Sequence, residues 1–219
     1  MASTAENIQP TRGELLQLKK RIELAKRGHE LLREKRDALI TEFFDNLEIL
    51  RGKRENVDKK LEEAFESLIK AEVTLGGPGV KRAAYASGRD IEISVDSRNI
   101  MGVNVPFIET EEELERKSTE RGYSLHQTTA KLDEAAEKFE SALQAILELA
   151  EAEQVVKLLA QEIEKTKRRV NSLEHVLIPR LEENKEYIEM RLEEQEREDK
   201  FRLKRVKQKI EREKEAALA

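Results

Sequence analysis

The fold is decided by a repeating pattern that first appears in the segment LLQLKKRIELAKRGHELLREKRDAL at residues 15–39. Its apolar residues recur at alternating steps of three and four, as in Leu15, Leu18, Ile22 and Ala25, with charged residues between them. This spacing places them along one stripe of an α-helix, which is typical of a coiled-coil seam. The segment therefore predicts a helix that buries this stripe against a second helix.

The same pattern extends over two long stretches of the chain, residues 11–75 and residues 124–215. The first seam continues through Leu32, Leu39, Phe43, Leu50, Val57, Ala64, Leu68 and Leu75. The second seam consists of Leu132, Phe139, Ala142, Ile146, Leu149, Val156, Leu159, Ile163, Val170, Leu173, Leu177, Leu181 and Ile188. The predicted fold is mostly α, a long antiparallel two-helix coiled-coil hairpin, formed by residues 1–219 as a single elongated domain.

The composition is typical of a two-helix coiled coil, and it argues against a disulfide, a metal site or a catalytic centre. Charged residues make up 40% of the 219 residues and aromatic residues only 4%, so a large globular core is not expected. Cysteine is absent, and the three histidines are scattered along the sequence. The sequence therefore predicts no disulfide, no metal site, no cofactor and no catalytic centre.

Two sequence signals define the ends of the first helix. Thr11 followed by Glu14 fits a capping box, in which the threonine oxygen accepts a hydrogen bond from a free helix amide. The run GGPG at residues 76–79 predicts the end of the helix, because glycine permits a left-handed cap and proline cannot continue the hydrogen-bond ladder.

The turn-end region, residues 76–123, is predicted to hold a β-hairpin and a short helix. Alternating apolar residues over 90–107 predict two strands, with a turn at residues 96–99, and a capping pattern predicts a short helix over 111–120. One face of the hairpin should pack on the helices or on another protein. The candidate coupling residues of this turn end are Ile91, Ile93, Val95, Val103, Val105 and Phe107.

Two residues are expected to influence the shape of the helix pair. Gly28 lies inside a strong helix pattern, and we predict that it permits close packing of the partner helix. Pro179 removes one backbone hydrogen bond from the return helix and predicts a kink. If residues 75 and 124 face each other, Thr11 faces Ile188, and the remainder of the return helix overhangs as a basic tip.

Four stretches carry a recognisable pattern, namely PTRGELLQLKKR at 10–21, LAKRGHELLREKRD at 24–37, RRVNSLEHVLIPRL at 168–181 and EEQEREDKFRLKRVK at 193–207. They resemble the D-subunit family of A-type and V-type rotary ATPases. The resemblance implies a non-catalytic central rotor shaft. Its paired terminal helices would enter a hexamer of A and B subunits, and its middle region would lie toward the membrane.

The resemblance also implies the partners and the location. One copy per complex would bind the A and B subunit hexamer, the F subunit and the C subunit, at the cytoplasmic face of the cell membrane and without entering it. Torque would pass between ATP chemistry in the hexamer and the ion-translocating membrane ring. The candidate hexamer contacts are the basic residues near the two chain ends, Arg12, Lys19, Lys20, Arg27, Lys200, Arg202, Lys204, Arg205 and Lys207.

Two other functions remain open on the residues alone. The basic C-terminal stretch could neutralise phosphates in a coiled-coil arm that binds nucleic acid, although only Phe201 would be available for base stacking there. A chaperone or adaptor resembling prefoldin is the other alternative. The absence of a secretory signal and of an apolar run of roughly 18 residues predicts a soluble, cytoplasmic chain.

Overall fold

A computed structural model describes residues 9–110, 114–124 and 128–218. Its contacts group the chain into two compact units. Unit 1 combines Met1–Arg36 with Lys165–Ala219, and unit 2 is Asp37–Glu164. The predominantly α-helical fold with a two-stranded antiparallel sheet is confirmed.

Helix α1 spans Arg12–Leu75, with the two ends that the sequence predicts. The amide of Glu14 donates a hydrogen bond to Oγ1 of Thr11 over 3.2 Å, as expected of a capped N-terminus. At the other end, Gly76 has φ +74°, a backbone conformation that glycine adopts at little cost. The helix therefore stops at the first glycine of the GGPG run.

In unit 1, α1 packs antiparallel against helix α4, Ile178–Leu218. Leu18, Ile22 and Ile188 form the buried centre of this seam. The predicted pairing of Thr11 with Ile188 is wrong, because Ile188 packs with Leu18 and Ile22 instead. The prediction placed the start of the return helix at residue 124, whereas that helix begins at Ala130, and it made no allowance for an irregular helical turn.

That irregularity is a π-helix at Leu173–Leu177, between helix α3 (Ala130–Ser172) and α4. It precedes Pro179, whose ring would clash with the carbonyl of the residue four positions earlier in a regular α-helix. The amide of Ile178 instead bonds to the carbonyl of Leu173, five residues back. Pro179 is thus preceded by a wider helical turn, which contains no buried residue.

In unit 2, the C-terminal part of α1 packs antiparallel against α3. The Nζ atom of Lys60 lies 2.9 Å from Oγ of Ser141, and the rings of Phe65 and Phe139 meet edge to face at 5.5 Å. Most predicted seam residues of both units are buried or half-buried, as expected. Ile146 and Leu177 are exceptions with exposed side chains, and Leu177 belongs to the π-helix.

A short helix does occur in the turn-end region, but not at residues 111–120. Helix α2 spans Gly77–Ala86, with Pro78 in its first turn, where the missing amide costs no hydrogen bond. Residues 114–120 form bends and turns, and residues 111–113 lie outside the described part. The small residues Ala71, Ala83 and Ala135 are buried together, which lets α1, α2 and α3 approach closely.

The hairpin consists of strands β1, Ile93–Ile100, and β2, Val103–Thr110, paired antiparallel. The predicted turn at residues 96–99 is wrong, since those residues belong to β1. The two-residue turn is Met101–Gly102, with φ +52° and +84°, as a type I′ turn requires. The amide of Gly102 also donates to Oδ1 of Asn99 over 2.9 Å, which explains the asparagine at this position.

The hairpin packs along the helix pair and not at the tip of the turn. Val103 and Val105 of β2 are buried against Leu39 of α1 and against Val155 and Leu159 of α3. Leu39 precedes the end of α1 by about ten helical turns, roughly 54 Å at 1.5 Å per residue. The strands therefore fold back from the turn end, because two strands alone bury too little apolar surface to be stable.

Candidate interaction surfaces

Three ion pairs join α1 and α4 at seven-residue intervals in unit 1. Arg12 pairs with Glu196 at 2.6 Å, Lys19 with Glu189 at 2.8 Å, and Lys26 with Glu182 at 2.6 Å. These distances join a guanidinium or ammonium nitrogen to a carboxylate oxygen. We call this set the ion-pair ladder. It occupies two of the predicted hexamer contacts, Arg12 and Lys19, in contacts within the chain itself.

The ladder also changes the titration of one of its carboxylates. The hydrogen bond from Lys19 holds the pKa of Glu189 below its ordinary value of 4.5, and the charge of Lys185 acts in the same direction. Partial burial of Glu189 opposes this shift. All the ladder side chains remain accessible to water, so the pairs are screened by salt.

Beyond Glu196, the last residue of the ladder, α4 continues without an α1 partner in the described part of the chain. Residues 197–218 would extend for roughly 33 Å as a single helix. We call this segment the free end of α4. Four of its apolar side chains are exposed, namely Phe201, Leu203, Val206 and Ile210.

The five predicted contact residues Lys200, Arg202, Lys204, Arg205 and Lys207 all lie on this free end and are exposed. The guanidinium of Arg205 lies over the ring of Phe201 at 5.2 Å. Within the described residues, Lys200, Arg202 and Lys204 form no salt bridge. Their charges are therefore available to a partner.

The two remaining basic candidates lie on α1. Arg27 pairs with Glu23 of its own helix at 2.5 Å. Lys20 is exposed and has no salt-bridge partner among the residues that the structure describes. His29 lies opposite the π-helix, with its Nε2 atom 3.4 Å from Oε2 of Glu174.

Gly28 does not fulfil the expectation of close packing within the chain. A Cβ atom added at this position would meet no atom within 4 Å outside its own helical turn. The missing side chain therefore leaves an open notch in the surface of α1. Its neighbours on the same helix face, Leu24 and Leu31, are among the exposed large apolar residues of the chain.

A buried charge cluster fixes the segment 114–124, which has no regular secondary structure. Glu140 of α3 accepts hydrogen bonds from the amide and Nε of Arg116, each at 3.0 Å, and from Arg121 at 3.1 Å. The Arg121 side chain is 4% exposed, and that of Glu140 is 10% exposed. Arg121 also donates to the carbonyl oxygen of Asp133.

The cluster shifts the pKa of two of its members. Burial disfavours the charge of Arg121, but hydrogen bonds with Tyr123 and Glu140 outweigh that effect and raise its pKa. Burial and a hydrogen bond to Asp133 raise the pKa of Tyr123, while Arg121 lowers it by a smaller amount. Tyr123 donates that bond to Oδ1 of Asp133 over 2.6 Å.

Sequence reasoning missed this cluster. Arg116, Arg121 and Glu140 were indistinguishable from the many charged surface residues of the chain. The residue in the sequence that could have pointed to it is Gly122. In the structure it has φ +77°, and a Cβ atom added there would lie 2.6 Å from the carbonyl oxygen of Ala86. Such a glycine marks a close backbone approach that nearby polar groups stabilise.

The hairpin candidates separate into two sets. Val103 and Val105 are buried and Phe107 is half-buried, so these side chains are used inside unit 2. Ile91, Ile93 and Val95 are exposed, with Val95 at 63%. This second set is therefore the more accessible to another protein.

The described residues contain no group of three or more His, Asp or Glu side chains that could hold a metal ion. None of the described helices is both long enough and apolar enough to span a membrane.

Comparisons with known proteins identify the family. The model of the ATP synthase D-subunit family matches residues 14–208. The D subunit of the A-type ATP synthase of Methanopyrus kandleri is 54% identical over 213 residues, covering 95% of this chain and 89% of that protein.

Two further relatives agree with this match. The D subunit of the A-type ATP synthase of Methanobrevibacter smithii is 49% identical over 97% of this chain and 94% of its own length. The corresponding protein of Pyrococcus horikoshii is 52% identical over 91% and 93%. The chain therefore belongs to the ATP synthase D-subunit family, whose members are non-catalytic central-stalk subunits.

Proposed function

We propose that the chain is the rotor shaft that transmits torque between the A and B subunit hexamer and the ion-translocating ring of an A-type or V-type ATP synthase. The observation that carries this proposal is the family match over residues 14–208, which includes all of α3 and most of α1 and α4. A coiled coil suits the task, because its interlocked side chains resist sliding of one helix past the other. The nucleic-acid arm and the prefoldin-like adaptor have no support from the comparisons.

In this proposal, unit 1 binds inside the hexamer. The free end of α4 offers the exposed cations Lys200, Arg202 and Lys204, which form no salt bridge with any described residue. Exposed ion pairs are weak individually, so contacts with acidic residues of the hexamer would be released easily as the shaft turns. The ladder residues Arg12 and Lys19 would instead keep the two helices in register.

Unit 2 would then provide the coupling to the other stalk subunits. The C subunit would bind the turn-end region, where the buried charge cluster gives the irregular segment 114–124 a fixed conformation. The exposed residues Ile93 and Val95 of β1, with Ile91 just before the strand, provide an apolar surface for a stalk partner, and the F subunit would bind along the shaft. The complex would lie at the cytoplasmic face of the membrane, with one copy of this chain.

The test is to mix the purified chain with a hexamer assembled from A and B subunits and to measure the stoichiometry. We expect one chain per hexamer, because a shaft occupies the central cavity once. A complex with several chains per hexamer, or no complex at all, would refute the proposal.

The role of the free cations can be tested in the same complex. We expect the triple variant Lys200→Gln, Arg202→Gln, Lys204→Gln to bind the hexamer more weakly and to lose part of the salt dependence of binding. The matched control is Arg54→Gln, Lys59→Gln, Lys81→Gln, which removes the same charge from exposed positions of unit 2. Equal weakening in both variants would show that total charge matters and that the free end does not.

A further inference from the structure

Helix α1 carries an exposed apolar stripe in unit 1 that the coiled-coil seam does not use. Leu24 is 72% exposed and Leu31 is 65% exposed. Together with Lys20, Arg27 and Gly28 they occupy positions i, i+4, i+7, i+8 and i+11, which lie on one face of an α-helix. We call this set of five residues the Leu24 face.

The centre of the Leu24 face is a notch. Gly28 has open space where a side chain would lie, and Leu24 and Leu31 flank it along the helix. Glycine in a helix interior costs about 1 kcal/mol relative to alanine, and nothing described in the chain packs against it to offset that cost. An apolar side chain from another protein would fit between the two leucines and approach the backbone at Gly28.

The charges beside the notch indicate the chemistry of its occupant. Lys20 has no salt-bridge partner in the described part of the chain, and the charge of Arg27 is balanced by the exposed Glu23. A segment that carries an apolar side chain next to a carboxylate would complement this face. That carboxylate would pair with Lys20.

The size of the face indicates how long the contact lasts. A stable interface typically buries about 800 Å² on each partner, and two leucines and a glycine supply only a fraction of that area. The Leu24 face is therefore suited to a contact that is made and broken repeatedly. A permanently bound partner would need a larger surface.

The face also makes the helix pair chemically two-sided. Lys26 of the ion-pair ladder follows Leu24 by two residues and so lies about 200° around the helix from it. The ladder flank is ionic, and the opposite flank of α1 is apolar and notched. A shaft of this kind presents a different surface to each of the subunits that surround it.

We propose that the Leu24 face is a contact surface for the surrounding ring of A and B subunits, seating an apolar side chain from an acidic segment of one ring member at a time. This inference rests on the proposed function as a rotor shaft. It adds an apolar, one-sided contact to the basic residues proposed above. Since only one flank carries the notch, this contact helps to distinguish the catalytic interface that the shaft currently faces.

The main test is the substitution Gly28→Leu, which fills the notch. The isolated chain should keep its fold and its thermal stability, because an added Cβ at this position meets no atom within 4 Å and leucine is a good helix former. In the complex with the A and B hexamer, we expect one bound chain as before and ATP-driven rotation that is slower by about three- to tenfold. The readouts are stoichiometry, ATP hydrolysis and single-molecule rotation.

A second variant and a control complete the test. The double substitution Leu24→Ser, Leu31→Ser removes the apolar walls and should also slow rotation without changing the stoichiometry. Gly52→Leu is the matched control, since Gly52 is equally open but has Glu48 and Glu55 at the positions where Gly28 has its two leucines. This control should rotate like the unsubstituted chain.

The outcomes separate the two proposals. Normal rotation of both test variants in correctly assembled complexes would overturn the role of the Leu24 face and leave the rotor proposal intact. Equal slowing by Gly52→Leu would overturn it as well, because the effect would then not be specific to this face. If the unsubstituted chain forms no complex with the hexamer, both proposals fail.

Discussion

The ion-pair ladder of unit 1 and the buried charge cluster of unit 2 differ in how far water reaches them, and this difference indicates two different roles. The ladder of unit 1 is exposed to water, whereas Arg121 and Glu140 of unit 2 are almost completely buried. Exposed pairs contribute little to stability and respond to salt, but they favour one register of two helices. Buried charges are costly unless every partner is in place, so the cluster fixes one conformation of an irregular segment.

The strongest test of this comparison removes the acceptor of the buried cluster. We expect Glu140→Ala to lower the free energy of unfolding of unit 2 by about 3 to 5 kcal/mol, because Arg121 would remain buried without its carboxylate partner. The measurement is urea unfolding followed by circular dichroism. Glu134→Ala is the control on the same helix, since Glu134 pairs with Lys131 and Lys138 within reach of water, and it should have a much smaller effect. Equal losses would contradict the distinction between buried and exposed pairs.

A second test addresses the backbone that the cluster stabilises. Gly122→Ala should lower the free energy of unfolding by about 2 to 3 kcal/mol, because its φ of +77° is strained for alanine and its Cβ would lie 2.6 Å from the oxygen of Ala86. Thermal unfolding measures the effect. Gly88→Ala is the matched control, because its added Cβ meets only an ordinary contact at 3.5 Å. A variant of Gly122 as stable as that control would show that segment 114–124 can rearrange freely.

A smaller effect of opposite sign is expected in unit 1. Gly28→Ala should raise the stability of the isolated chain by up to about 1 kcal/mol, since it improves helix propensity and meets no neighbour. Thermal unfolding of the isolated chain measures this change. Destabilisation by alanine would mean that the open space at Gly28 is needed within the chain itself.

The smallest expected effect is a pH dependence of the ladder. The folded-state pKa of Glu189 lies below its ordinary value, so its contribution to stability is fully present above about pH 4.5 and is lost as the pH falls through the folded pKa. Lys19→Gln removes the hydrogen bond that causes the shift. We therefore expect this variant to lose less stability than the unsubstituted chain between about pH 6 and pH 3, as measured by urea unfolding at each pH. Identical pH profiles would show that the pair of Lys19 and Glu189 contributes nothing to stability in solution.

The sequence predicted the regular elements well where local signals and periodicity agree. Thr11 with Glu14 and the run 76–79 located both ends of α1, and the apolar steps identified most of its buried residues. At Pro179 the sequence predicts a kink, and the structure contains a π-helix, Leu173–Leu177, just before the proline. A missing amide is visible in the sequence, but the way in which the neighbouring carbonyls find other partners is not.

The sequence identified the basic residues of the candidate contact surfaces, but it did not show which of them form ion pairs within the chain. Nine basic residues were candidate contacts, and the sequence could not tell that Arg12 and Lys19 are paired across the seam while Lys200, Arg202 and Lys204 are free of salt bridges in the described part of the chain. Pairing depends on the register of the two helices. An irregular helical turn, such as the π-helix at Leu173–Leu177, shifts that register.

The sequence by itself determined that α1 buries an apolar stripe against a return helix in each unit, because helical periodicity is a local property that each segment carries. The tertiary structure alone decided where the strands lie and which charges are buried. Val105 packs against Leu39 and Leu159, and Glu140 meets Arg121, through contacts between residues far apart in the sequence. Such contacts follow from how the connecting segments fold back, and no local pattern records them.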